Sequence, residues 1–147
     1  MLYSLLTSYI EDYSFLNIVI YLSFRSGAAL ITSLAIVFIF APKIIKWLRS
    51  KQKEGQPIRE DGPAWHLEIK KGTPTMGGVI ILGALITSTL LWADLSNIYI
   101  WIVLYITFGF GLIGFMDDYL KVSKNNHKGL SGKLKLLFQF IIAIVAT

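Results

Sequence analysis

Apolar runs of nearly bilayer-crossing length follow one another along this chain of 147 residues. The clearest are Met76 to Ala93 and Ile98 to Met116; an earlier one, Gly27 to Ala41, extends to Trp47 with an amphipathic end. A last run, Leu134 to Thr147, stops where the chain stops. Because a helix needs about 20 mainly apolar residues to cross a bilayer, these runs predict an all-α, polytopic integral membrane protein.

We expect three complete transmembrane helices and a truncated fourth, all belonging to a single membrane domain that includes residues 1–147. The expected spans are residues 24–47, 76–93, 98–116 and 134–147. Composition agrees, since 54% of the residues are hydrophobic, 16% are charged and the mean hydropathy is +0.61. Soluble domains carry about 25% charged residues. The chain contains no cysteine, which excludes disulfides and thiolate metal sites.

The basic residues predict how the spans are oriented. Of the 14 Lys and Arg residues, eight lie between Lys43 and Lys71, five lie between Lys121 and Lys135, and the connection Asp94 to Asn97 has none. By the positive-inside rule, loops at residues 48–75 and 117–133 are cytoplasmic, and the amino terminus is external. Binding of nucleic acid or anionic lipid is an alternative use of these residues, but their alternation with apolar spans favours topology.

Asp117 and Asp118 lie side by side where the Ile98 to Met116 run meets the second basic loop. Adjacent carboxylates repel each other and are costly within hydrocarbon, so a simple anchor has no need of them. Mg²⁺ is usually bound by one or two carboxylates together with substrate phosphate oxygens. At helical spacing Lys121 shares a face with the pair, which suits a site for Mg²⁺ and an anionic oxygen. The alternative is a solvated helix end shielded by Lys121.

The first basic loop offers further polar candidates. It contains Arg59, His66, Lys70 and Lys71, and His66 and Lys70 share a face if residues 64–71 are helical. A lone histidine in a loop is more often simply solvated. The sequence contains neither a phosphate-binding G-x-x-x-x-G-K-[ST] loop nor an H-E-x-x-H zinc motif.

Turn formers and glycines predict local structure at the ends of the spans. Thr73 is predicted to be the N-cap of the second span, and Pro74 its first helical residue. The pair Gly77 and Gly78 predicts close backbone approach at the start of that helix. Gly109, Gly111 and Gly114 predict tight helix packing near the end of the third span.

Two long motifs occupy the two basic loops. The first consists of Gln56 to Pro63, His66, Lys70 and Gly72 to Gly78; the second consists of Asp117 to Tyr119, Lys121, Gly129 and Leu130. The first resembles the first-loop signature of the bacterial phospho-N-acetylmuramoyl-pentapeptide-transferase family and the second resembles its aspartate motif, and they occur in the family's order. The spans between these motifs also fit the family's topology.

The resemblance implies a Mg²⁺-dependent enzyme of the bacterial inner membrane. It would transfer phospho-N-acetylmuramoyl-pentapeptide from the UDP-linked donor to undecaprenyl phosphate, forming lipid I and UMP in peptidoglycan synthesis, and so would serve cell-wall growth, cell shape and division. Family members have ten membrane helices and usually form homodimers. The chain would then be an amino-terminal fragment that is inactive alone, with no nucleic-acid partner.

The resemblance also implies roles for individual residues. Asp117 would deprotonate the lipid phosphate or attack the diphosphate, and Asp118 would organise Mg²⁺ and the diphosphate. Both are expected to lie at the metal, whose main ligand would come from the part of the family fold that this chain lacks. The implied substrate-binding residues are Lys70, Thr75, Lys121, Lys133, His66 and Arg59.

Two other functions stay open. A sister enzyme of the same superfamily transfers N-acetylglucosamine-1-phosphate to a polyprenyl phosphate and would share the aspartate pair, although its first-loop pattern differs. A non-catalytic membrane protein, such as a transporter subunit or an assembly scaffold, is the other alternative. The sequence does not decide which aspartate contacts the metal, whether a covalent intermediate forms, or how the lipid enters.

Overall fold

The computed structural model describes residues 1–52, 75–123 and 129–147. Every regular element in these ranges is helical, as the apolar runs predict. The elements are α1 (Leu2–Ser8), a 3₁₀ helix (Ser14–Ile20), α2 (Leu22–Lys51), α3 (Gly78–Trp92), α4 (Ile98–Ser123) and α5 (Gly132–Ala146).

Helix α2 is the longest of the described helices. Its 30 residues extend over about 45 Å, enough to cross a bilayer and emerge from it. Pro42 lies inside the helix and does not end it. Arg49 and Lys51 occupy the last turn, where positive charge is favourable beside the unpaired carbonyl groups of a helix end. The helix closes at Gln52, whose N–H donates to the carbonyl of Leu48 at 2.9 Å.

Helices α2 and α4 are long and apolar enough to cross a membrane. In the most apolar stretch of α2, 0% of the residues are buried by the described chain, and in that of α4 the share is 11%. The core helix of a soluble protein would bury such side chains, so their exposure indicates a membrane-embedded protein. Helices α3 and α5 have 15 residues each and extend over only about 22 Å, which is short of the hydrocarbon thickness of about 30 Å.

Helix α3 begins later than the turn formers predict. Its N-cap is Gly77 and its first residue is Gly78. It therefore does not begin at the predicted N-cap Thr73 and first helical position Pro74, which lie outside the described residues. The physical reason is Met76, whose φ of 73° lies in the left-handed region and cannot continue a right-handed helix. The described atoms also leave open space around Gly77 and Gly78, so the close approach predicted there is absent from this part of the chain.

Consecutive long helices pack antiparallel. The Trp92 indole N–H at the end of α3 donates to the Thr32 hydroxyl of α2 at 3.0 Å, while Gln52 after α2 contacts Thr75 before α3. The predicted packing role of the glycines on α4 is confirmed at two of the three positions. A Cβ at Gly109 would press on Ile142 of α5, and one at Gly111 would overlap Leu82 of α3, but Gly114 faces open space.

This antiparallel arrangement sorts the helix ends into two groups. The end of α2, the start of α3, the end of α4 and the start of α5 meet at one end of the bundle. The opposite end holds the amino terminus, whose amine donates to the carbonyl of Leu90 at 3.0 Å, and the short connection from Ala93 to Asn97. Most of the polar side chains discussed below lie at the first end.

Candidate functional site

The aspartate pair lies on α4 immediately after its apolar run. The helix does not stop at Met116, where the predicted span ends, but continues to Ser123. Asp117, Asp118 and Lys121 therefore stand on a regular helix, with the spacing that the sequence indicates. Residues three and four apart on a helix are neighbours, so the Lys121 ammonium reaches both carboxylates. It lies 2.7 Å from Asp117 Oδ2 and 3.7 Å from Asp118 Oδ1.

Asp117 is the most enclosed of these polar groups, with 7% of its surface exposed. Besides Lys121, its carboxylate binds two groups from the start of α5 and the turn before it. Lys135 Nζ lies 2.9 Å from Oδ1, and the N–H of Leu130 donates to the same oxygen at 2.8 Å. Both oxygens of this carboxylate are thus engaged, and α4 and α5 are joined through it.

These contacts fix the charge of Asp117. Burial raises the pKa of its carboxyl, but the hydrogen bonds from Lys121, Lys135 and the Leu130 N–H outweigh that effect and lower the pKa to about 2. Asp117 is therefore an anion throughout the physiological pH range.

Asp118 has a different environment from its neighbour. Its side chain is 31% exposed, and its Oδ2 accepts a hydrogen bond from the Thr75 hydroxyl at 2.9 Å. With Lys121 at 3.7 Å from its other oxygen, Asp118 keeps unused acceptor capacity. Of the two aspartates, Asp118 is the one available to a further partner.

Thr75 is itself held by Gln52, the residue that follows α2. The N–H of Thr75 donates to Gln52 Oε1 at 2.9 Å, and Gln52 Nε2 donates to the carbonyl oxygen of Thr75 at 3.4 Å. Gln52 is 8% exposed. Polar contacts therefore run from the end of α2 through Thr75 to α4.

Gly129 allows the turn before α5 to approach Asp117. Its φ of 53° lies in the left-handed region, where only glycine is free of strain, and a Cβ at this position would overlap Asp117 Oδ1. Ser131 then caps α5 by accepting a hydrogen bond from the N–H of Leu134. Both the backbone conformation and the space at residue 129 thus require glycine.

An apolar groove of about 630 Å³ leads to the aspartates between α3 and α4. Leu85 and Phe108 line the far end of the groove, and Met76 lines the near end together with Asp117 and Asp118. Gly114 contributes no side chain to its wall, which leaves room there, whereas the space beside Gly111 is filled by Leu82. Two carboxylates thus lie at one end of a groove lined by apolar side chains.

The structure brings together four of the residues predicted for the site, namely Asp117, Asp118, Thr75 and Lys121. Lys133 is exposed and makes no ion pair within the described ranges, whereas Lys135, two residues later, contacts Asp117. Three other predicted residues, Arg59, His66 and Lys70, lie outside the described residues.

Sequence reasoning missed Gln52 and did not single out Lys135 among the basic residues of its loop. The signal for Lys135 was its position at the start of a helix after Gly129, but that signal applies equally to Lys133. Gln52 carried no signal, because nothing in its sequence neighbourhood connects it to Thr75.

The acidic residues satisfy only part of what a divalent cation requires. Among the described residues no three His, Cys, Asp or Glu side chains cluster as metal ligands would. Asp118 has a free acceptor site and fits a cation that draws its other oxygen ligands from substrate phosphates or from other parts of a protein. Asp117 fits less well while two ammonium groups occupy its oxygens.

Two comparisons with known proteins find the same family of enzymes. Residues 70–82 match the family model for phospho-N-acetylmuramoyl-pentapeptide-transferase signature 1. A relative, the phospho-N-acetylmuramoyl-pentapeptide-transferase of Granulibacter bethesdensis, is 56% identical over 146 residues. That alignment covers 99% of this chain and 40% of the relative, so the chain spans about two fifths of the relative's length. By this signature and this identity, the chain is similar to the phospho-N-acetylmuramoyl-pentapeptide-transferases over the length that it spans.

Proposed function

We propose that this chain forms the amino-terminal part of a membrane enzyme that transfers phospho-N-acetylmuramoyl-pentapeptide from its UDP-linked donor to undecaprenyl phosphate. The observation that carries the proposal is the aspartate pair, held by two lysines at the mouth of an apolar groove, in a chain 56% identical to a transferase of that name. By the positive-inside rule, this site lies on the cytoplasmic side of the inner membrane.

In the proposed reaction, an oxygen of the lipid phosphate forms a bond to the phosphorus that carries the sugar. The bond between that phosphorus and the bridging oxygen of the UDP diphosphate breaks, and UMP leaves with the electron pair. The product is a diphosphate that joins lipid and sugar. Such transfers need little covalent chemistry from the protein, because most of the catalysis comes from positioning and from neutralising charge on phosphate oxygens.

The arrangement of charges supports this chemistry. The four charged side chains of the site carry no net charge together; they are Asp117, Asp118, Lys121 and Lys135. Because both lysines form ion pairs with the aspartates, they are held in place before any substrate arrives. A bound diphosphate competes with Asp117 for the two ammonium groups. The two ammonium groups can therefore exchange the Asp117 carboxylate for phosphate oxygens without a movement of the backbone.

We propose that Mg²⁺ binds beside Asp118, with other oxygen ligands from the diphosphate and from the rest of the enzyme. When bound, the cation would neutralise charge on the phosphate oxygens. The Asp118 side chain is partly exposed, and the Thr75 hydroxyl orients its carboxylate by donating to Oδ2. Lys133, close to the site in sequence and exposed, is a candidate for holding substrate phosphate.

Asp117 has two proposed roles, base or nucleophile, and the contacts bear on both. A carboxyl with a pKa of about 2 is a poor general base near neutral pH. It becomes a better base or nucleophile only if Lys121 and Lys135 are drawn away towards substrate phosphates. We therefore propose that substrate binding activates Asp117 by taking up its lysine partners.

The apolar groove supports a lipid-linked acceptor. A substrate whose phosphate is carried on a hydrocarbon chain needs polar and apolar surfaces side by side. The groove between α3 and α4 provides both, because Asp118 lies at the end of a wall formed by residues such as Leu82 and Phe115.

The test is an assay of the full-length enzyme in detergent or lipid, measuring release of UMP. We expect turnover with UDP-N-acetylmuramoyl-pentapeptide and not with UDP-N-acetylglucosamine, and the opposite preference would favour the sister enzyme.

Asp117→Asn should lower kcat by at least a hundredfold while Tm stays within a few degrees, because the carboxylate charge is lost with little change of shape. Asp94→Asn, at the other end of the bundle, is the matched control and should behave as wild type.

A fully active Asp117→Asn variant would contradict the catalytic role of Asp117, whereas a folded full-length protein that releases UMP from neither donor would favour a non-catalytic membrane protein.

A further inference from the structure

Gln52 makes two hydrogen bonds with the backbone of one residue that is far away in sequence. Its side-chain oxygen accepts from the N–H of Thr75, and its side-chain nitrogen donates to the carbonyl oxygen of Thr75. Gln52 is 8% exposed and caps α2, so its own backbone is fixed by the hydrogen bond to Leu48. A rigid helix end thereby determines where the Thr75 backbone lies.

Thr75 belongs to none of the helices in the described part of the chain. Helix α3 starts only at Gly78, and the left-handed conformation of Met76 separates Thr75 from it. Without Gln52, the backbone groups of this part-buried residue would lose their partners within the described chain, at a cost in free energy. Within the described ranges, Gln52 thus ties the Thr75 backbone to the end of α2.

The position of Thr75 in turn orients Asp118. The Thr75 hydroxyl donates to Asp118 Oδ2 at 2.9 Å, which leaves Oδ1 as the oxygen nearer Lys121. A carboxylate with one oxygen so anchored cannot rotate freely about its terminal bond. Its remaining acceptor sites then point in fixed directions.

We propose that Gln52 is a positioning residue of the transferase, which acts through Thr75 to hold the Asp118 carboxylate in its reactive orientation. The inference rests on the proposed function and extends it to a residue outside both sequence motifs. Gln52 itself touches neither substrate nor metal in this scheme. Loss of its amide should therefore reduce turnover more than substrate binding, because misplacement of a reacting group by about 1 Å can cost up to about a hundredfold in rate.

The kinetic test uses the full-length enzyme and the variant Gln52→Met, which keeps side-chain length but removes both hydrogen bonds. We expect kcat to fall about tenfold, with the KM for the UDP-linked donor changed less than twofold. Gln139→Met, on α5 and without a side-chain hydrogen bond to the described part of the chain, is the matched control and should keep wild-type kinetics. Gln52→Asn, too short to reach Thr75, serves as the second variant if Gln52→Met fails to fold, with the same expected fall.

The route through Thr75 is tested by coupling. Thr75→Ser keeps the hydroxyl and should retain most activity, whereas Thr75→Val, of nearly the same shape, should lose it. The double variant Gln52→Met with Thr75→Val should be no slower than Thr75→Val alone, because both changes release the same carboxylate. Fully additive losses would overturn the inference.

Hydrogen exchange of the Thr75 amide supplies a readout that does not depend on turnover. In Gln52→Met this amide should exchange at least tenfold faster than in wild type, while the amides of α4 keep their protection. Unchanged exchange at Thr75 would overturn the inference, and so would wild-type kcat in the folded Gln52 variants. Wild-type protein without transferase activity would overturn the proposed function and, with it, the positioning role.

Discussion

At the residue scale, the two lysines at the start of α5 show what sequence spacing can and cannot decide. Lys133 and Lys135 are two residues apart on one helix, so they point in directions about 200° apart, and only one of them can face Asp117. The family resemblance implied Lys133 as the lysine of this segment at the site, but the structure brings Lys135 to Asp117. Which of the two faces Asp117 depends on the rotation of α5 about its axis, which the turn at Gly129 sets.

The contact of Lys135 with Asp117 predicts a specific pH dependence of stability. The pKa of Asp117 is about 2 in the folded protein and about 3.9 in an unfolded chain, so its ion pairs stabilise the fold above pH 4 and lose that effect as the pH falls towards 2. Lys135→Met should cost about 1 kcal/mol at pH 6, a modest value because Lys135 is partly exposed.

The measurement is the Tm of the purified protein in detergent, compared between wild type and variant from pH 6 to pH 2. The difference should shrink below pH 4, since protonation of Asp117 removes the contact in wild type as well. Lys133→Met, which removes a neighbouring charge without touching Asp117, should show no such change. A Tm difference for Lys135→Met that stays constant down to pH 2 would show that the ion pair does not stabilise the fold.

At the scale of elements, the junction between α4 and α5 depends on one glycine. Gly129→Ala would force a side chain into the left-handed region, at a cost of about 1–2 kcal/mol, and would press its Cβ against the Asp117 carboxylate. We expect a lower Tm together with a loss of transferase activity, because the Leu130 N–H and Lys135 both reach Asp117 from this turn.

Gly132→Ala is the matched control for that junction. Gly132 opens α5 with open space around its Cα, so alanine there should be neutral or slightly stabilising. Equal effects of the two substitutions on Tm and activity would contradict the account of Gly129.

The ends of α3 and α4 show why element boundaries were less predictable than the elements themselves. The apolar runs located both helices, since composition alone decides what is stable in hydrocarbon. The start of α3 was displaced by the left-handed Met76, and α4 continued beyond Met116 to Ser123. A polar helical extension of this kind follows from local hydrogen bonds and tertiary contacts, which the hydropathy of a sequence does not report.

At the scale of the whole molecule, the convergence of distant segments was predictable in outline. Three spans of alternating direction place the end of α2, the start of α3 and the end of α4 on one side, which follows from counting apolar runs and basic residues. Thr75 and Asp118 meet at that side as expected. The contact between Gln52 and Thr75 was not predictable, because it depends on how far α2 extends and on the path of the chain before Met76.

This convergence predicts the membrane sidedness of exposed serines at the ends of the helices, and the absence of native cysteine makes single-cysteine labelling clean. In the full-length protein, Ser50→Cys near the end of α2 and Ser123→Cys at the end of α4 should react with an impermeant maleimide only once the membrane is opened, because both lie at the basic end, which we propose is cytoplasmic. Ser96→Cys, in the connection at the opposite end, should react in intact spheroplasts. Labelling of Ser50→Cys and Ser123→Cys from opposite sides would separate α2 from the aspartates and dismantle the proposed site. Reversed labelling at all three positions would instead keep the site and place it on the external face.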